Sequence, residues 1–161
     1  MTERTFAPWV EPIAAKLRQS RGETVNVARE IPADTWEMPS PNEGWTYRQL
    51  LGHLAVGDWV CQSILRAVVA GEPADLAMLA ELDERNDRYR QEREGRSIEE
   101  LILEVEAEGE DTQELLASLK EADENRRQAD APMSLGEYLG IFPSHDQEHL
   151  AHLRTAREQQ S

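Results

Sequence analysis

The sequence predicts an all-α protein, a four-helix bundle with a longer crossover between the second and third main helices. Three observations lead there. Four long segments repeat their apolar residues at helical spacing, and no stretch alternates apolar and polar residues as a half-buried strand would. Three Ser/Thr-x-x-Glu/Gln capping signatures stand at the heads of apolar runs. With no internal repeat, a bundle is the economical way to bury four amphipathic faces.

The first segment runs from about Trp9 to Arg29, with Trp9, Ile13, Leu17, Val25 and Val27 as apolar positions. Gly22 weakens it locally, and Pro32 ends it because the residue before a proline is pushed out of helical geometry. Residues 32–44 hold three prolines and Gly44 and read as a loop. Thr46 and Gln49 form the first capping box. Leu50, Leu54, Cys61, Ile64, Leu65 and Val68 carry a second helix from there to about Ala70, where Gly71 and Pro73 close it. Residues 74–96 predict a weaker helix with Leu76, Leu79, Leu82 and Tyr89, then a charged stretch ending at Gly95. Ser97 and Glu100 open the third main helix, whose apolar side holds Leu101, Val105, Thr112, Leu115, Leu116 and Leu119; its Glu-rich side faces water. Asp130, Ala131 and Pro132 break the chain. Ser134 and Glu137 then start a last helix running to about Glu158, with Pro143 inside it expected to kink the turn before His145.

At 161 residues the chain is expected to form one domain, residues 1–161, with 39% hydrophobic and 30% charged residues placing it among globular proteins. Its net charge of -15 repels the phosphates of nucleic acids and anionic membrane surfaces, which argues against either partner. One cysteine, Cys61, rules out an intrachain disulfide. No run approaches the roughly 18 apolar residues of a membrane span, and the N-terminus has no apolar signal core, so a cytoplasmic location is expected.

The four histidines carry the functional signal. His145 and His149 stand four apart, one turn above the other on one helix face, a spacing at which two imidazoles converge on one metal ion. Phe142 and Leu153 lie near that face, so the pair borders the core. His53 sits between Leu50 and Leu54 on the apolar arc of the second helix, and Gly57, one turn on, leaves open space beside it. Taken alone, His53 reads as a structural histidine bonded to a backbone carbonyl; it is the trio that points to a metal. His152 stands seven residues from His145, a rise of about 10 Å, so those two cannot share an ion. Three imidazoles suit zinc, nickel or iron.

Two segments carry a family resemblance. Gly44-Trp-Thr-Tyr-Arg-Gln-Leu-Leu-Gly-His53-Leu resembles the W-S-x-R-E-L-L-x-H-L start of the second helix in the DinB/YfiT-like superfamily. His145-Asp-Gln-Glu-His149-Leu-Ala-His-Leu is similar to that family's closing H-x-x-x-H-L helix, and the order and separation of the two motifs agree. The resemblance implies a DinB/YfiT-like bundle, often a homodimer, with His53, His145 and His149 as ligands of one divalent metal. It assigns no ligand role to His152. It also implies a small-molecule substrate and either of two chemistries: transfer of a low-molecular-weight thiol to a small electrophile, or hydrolysis. A non-enzymatic, metal-stabilised binding or stress-response module is the third reading.

Three protein ligands leave a coordination position open, as catalytic sites do. Asp146 and Glu148 point about 100° and 60° away from His145 on a helical wheel; either can serve as an acceptor for an imidazole N–H, but solvation is the expectation for both. Asp58 takes no role, and Cys61 is read as an inert packing thiol. Trp45, Tyr47, Trp59 and Tyr138 are core or pocket wall, undivided by the sequence. His145-Asp-Gln-Glu148-His149 also fits the inverted zinc-peptidase signature, but that enzyme needs a further ligand well downstream of the second histidine.

Overall fold

The structure, a computed structural model, describes residues 4–42, 44–56, 59–73, 80–127 and 133–159. Its helices are α1 (Glu11–Glu30), α2 (Tyr47–Leu54), α3 (Trp59–Ala70), α4 (Leu82–Gln91), α5 (Ile98–Ala117), α6 (Leu135–Leu139) and α7 (Phe142–Glu158). Two isolated bridges, Pro39 to Thr46 and Arg127 to Ser134, are the extended pairing among the described residues. The fold is an all-α bundle: α1 packs on α5 and α7, α3 on α5, and α2 against α4, α5 and α7. The expected crossover between the second and third main helices carries α4. No helix of the described residues is long and apolar enough to cross a membrane.

All three capping boxes form. Thr46, Ser97 and Ser134 accept from the backbone N–H groups of Gln49, Glu100 and Glu137, whose side chains accept from the cap backbones in return. Gly22 does not interrupt α1, which runs through it.

Two expectations are corrected. The second main helix is not continuous from Thr46 to Ala70, because it divides into α2 and α3. Val56 N–H reaches back only three residues, to His53 at 3.1 Å, and the Leu54 carbonyl accepts from Arg21 Nη1 at 2.6 Å. The last helix likewise divides into α6 and α7. A proline ring clashes with the carbonyl four residues back; for Pro143 that is Leu139, where α6 ends. Pro143 sits in the first turn of α7, where a missing N–H costs nothing. Gly57 and the space expected beside it, Asp58, Leu76, Leu79, and the break at Asp130, Ala131 and Pro132 lie outside the described residues.

The core comes in two parts. One joins the C-terminal half of α1 (Val25, Val27, Ala28) to α2 (Leu50, Leu51, Leu54), the first half of α5 and the later turns of α7 (Leu150, Leu153). The other joins the N-terminal half of α1 (Ala14, Leu17) to α3, α6 and the end of α5. Between them each main helix contributes buried polar residues: Ser20, Arg21 and Thr24; Gln62; Thr112 and Gln113; Asp146 and His149. Buried polar groups need partners, and these find them across helices. Gln62 donates to Thr112 Oγ1 at 3.1 Å, Gln113 to the Ala14 carbonyl at 3.0 Å, and Arg21 pairs with Asp146.

Candidate metal centre

The trio sits in this polar layer. His53 is the penultimate residue of α2, while His145 and His149 lie on the first two turns of α7. Their ring centroids are 5.6 Å (His53 to His145), 5.0 Å (His53 to His149) and 4.4 Å (His145 to His149) apart. One ligand atom from each lies within 4.8 Å of the others, and the Nε2 atoms of His145 and His149 are 3.1 Å apart. Two nitrogens bound tetrahedrally at 2.0–2.1 Å stand about 3.3 Å from each other. The α7 pair is therefore already at a ligating separation, and a small side-chain movement brings in the third nitrogen.

Electrostatics favour the ligating form. Burial pulls the His53 imidazolium down to about 4, helped by positive charge on His145 and Arg21. Burial likewise pulls His149 down to about 3, with its neighbouring histidines adding to the effect. Both rings are thus neutral at pH 7, with a lone pair available for an ion. The Nε2 atoms of His145 and His149 are close enough to share one proton or to hold one cation, and three imidazole nitrogens are a donor set that a divalent ion accepts. His149 Nδ1 is buried with no hydrogen-bond partner among the described residues. His152 stands off the trio, its ring 5.9 Å from that of His149.

A cavity of about 260 Å³ opens beside the trio, with His53 and His145 in its wall. Trp59, Val60, Leu82, Tyr138, Ile141 and Phe142 make it largely apolar, and Asn86, which accepts from Trp59 Nε1 at 3.3 Å, adds a polar group. Burial raises the Tyr138 hydroxyl to about 12, so it stays protonated. Trp45 packs on the His53 ring at 4.9 Å, whereas Tyr47 is fully buried in the core. The four aromatics that sequence left undivided thus separate into one core residue and three around the site. Cys61 is buried in the second core cluster, and Glu148 is exposed, both as expected.

Asp146 overturns an expectation. It is not solvated: only 2% exposed, it pairs with Arg21, itself buried, through Nη2–Oδ1 at 3.1 Å and Nε–Oδ2 at 3.0 Å. Arg21 played no part in the sequence reading, yet a signal was there. Leu17, Arg21 and Val25 share one stripe of α1, as Phe142, Asp146 and Leu150 share one of α7. Opposite charges on two apolar stripes mark a buried pair.

The family model of the DinB superfamily matches residues 16–153. The chain belongs to the DinB superfamily. The matched span of this DinB chain takes in His53, His145 and His149, as well as Arg21 and Asp146. No curated protein and no solved structure gives a significant match to it.

Proposed function

We propose that this DinB-superfamily chain binds one divalent metal ion through His53, His145 and His149. The ion would lower the pKa of a low-molecular-weight thiol, whose sulfur would bond to the electrophilic carbon of a small apolar molecule as its leaving group departs and the thiol proton passes to solvent. One observation carries the reading: three imidazoles converge, and two of them, His53 and His145, line an apolar, aromatic-walled cavity of about 260 Å³. A purely structural ion would be closed by a fourth protein ligand, and among the described residues no fourth Cys, His, Asp or Glu joins the trio. When bound, an ion held only by neutral nitrogens keeps its positive charge and lowers the pKa of a thiol placed on it.

The remaining roles belong to the chain. His53 and His145 present the ion at the cavity wall. Trp59, Phe142 and Val60 exclude water and hold the apolar body of the electrophile. Tyr138, protonated at physiological pH, offers a hydrogen bond to charge developing on the leaving side.

The test begins with protein purified without a His tag. Metal analysis should give close to one ion per chain for the wild type and almost none for His53→Ala. Small thiols added to the cobalt-substituted protein should produce sulfur-to-metal charge-transfer absorption, and loaded protein should consume thiol in the presence of an aromatic electrophile. Equal metal content in wild type and His53→Ala removes the ligand assignment. A loaded protein whose spectrum ignores every thiol removes the thiol chemistry and leaves hydrolysis to be assayed in its place.

A further inference from the structure

We propose that the buried Arg21–Asp146 pair is the positioning device of this centre, fastening the end of α2 that carries His53 to the turn of α7 that carries His145. The inference rests on reading the trio as metal ligands. It starts from where the guanidinium makes its bonds. Nη1 donates to the Leu54 carbonyl at 2.6 Å, and Leu54 is the residue after His53. Nη2 donates to Asp146 Oδ1 at 3.1 Å, and Nε lies 3.0 Å from Oδ2 as an ion-pair contact; Asp146 is the residue after His145. One side chain from α1 thereby holds a backbone carbonyl of α2 and a carboxylate of α7, each on the residue that follows a proposed ligand.

The local physics favours the Leu54 contact. The last carbonyls of a helix need donors from outside it, and a cation there also meets the negative end of the helix dipole. A buried ion pair adds little net stability over apolar residues of the same size, so stability alone does not account for this one. Its contacts with both ligand-bearing elements do. The planar fork also matters, since a lysine ammonium is a point charge and cannot hold the Leu54 carbonyl and both Asp146 oxygens in one fixed geometry.

The experiment separates positioning from folding. In the double variant Arg21→Met/Asp146→Leu the pair is replaced by apolar side chains of similar length. Its apoprotein should fold, with a circular dichroism spectrum like that of the wild type. Zinc affinity, measured by competition with a chromophoric chelator, should fall about 10- to 100-fold, the range typical for losing support behind a ligand. The cobalt-substituted variant should show altered d–d bands. Arg21→Lys should fold and bind zinc with intermediate affinity. Wild-type zinc affinity and an unchanged cobalt spectrum in the folded double variant would overturn the inference while leaving the trio as ligands. Should the double variant not fold, Arg21→Lys decides alone, and wild-type affinity in it overturns the inference. A wild type that takes up neither zinc nor cobalt overturns the ligand reading and this inference together.

Discussion

Removing one member of the Arg21–Asp146 pair is a different perturbation from replacing both, and its size follows from burial. The Asp146 side chain is 3% exposed and that of Arg21 7%, with two contacts of 3.0–3.1 Å between them. Asp146→Ala deletes the carboxylate but leaves the guanidinium inside the bundle, a loss that costs about 3–5 kcal/mol for a buried pair. At about 2–4 °C per kcal/mol for a chain of this size, the apoprotein should melt about 6–20 °C lower. The pair of Arg157 with Glu30 supplies the control. It is just as short, at 3.0 Å, but its side chains are 39% and 60% exposed. Glu30→Ala should therefore cost less than about 1 kcal/mol. Urea unfolding of the metal-free proteins, followed by circular dichroism, measures both. An Asp146→Ala protein within about 1 kcal/mol of wild type would show that water reaches the pair and would refute the reasoning.

Three other outcomes are expected. Gly22→Ala should stabilise the protein by about 0.5–1 kcal/mol, because Gly22 lies inside α1 and a Cβ there meets nothing within 4 Å; calorimetry should show a higher melting temperature. Thr46→Ala removes the cap of α2 and should cost about 1 kcal/mol in urea unfolding, with weaker zinc binding because α2 carries His53. Acid should destabilise the apoprotein before its carboxylates titrate. The folded imidazoles of His53 and His149 titrate at about 4 and about 3, well below their unfolded value near 6.5. Between these values the unfolded chain binds more protons, so the stability contribution is complete above pH 6.5 and is lost as pH falls through the folded values. A His53→Ala/His149→Ala protein should lose this dependence between pH 7 and 5 in urea titrations; an equal slope in both proteins would place the effect elsewhere.

Much of the fold was legible because its signals are local. Each capping box needs only four consecutive residues, and all three formed where Ser/Thr and Glu/Gln stand three apart. The His145–His149 pair was legible for a related reason, since its i, i+4 spacing places both rings on one face whatever the bundle does, whereas His53, on another helix, was joined to it by the family resemblance of its flanking residues. What escaped depends on contacts distant in sequence. Nothing between Leu54 and Trp59 forbids a helix outright, and Arg21, which takes up the Leu54 carbonyl, comes from 33 residues away. Asp146 looked solvated because a wheel treats a lone carboxylate as facing water unless its partner is known, and that partner is 125 residues away. Pro143 was noticed but read as a kink inside a helix, when its missing N–H suits the start of one.

The seam between the two core clusters has a consequence for how such a protein can change. Val60 belongs to the second cluster, and Trp59, Tyr138 and Phe142 pack against it, whereas Leu50, Leu54, Leu150 and Leu153, which flank the histidines, belong to the first. Substitutions that act in separate contact networks combine almost additively. The shape of the cavity can therefore drift, or be redesigned, in one half of the bundle without disturbing the other.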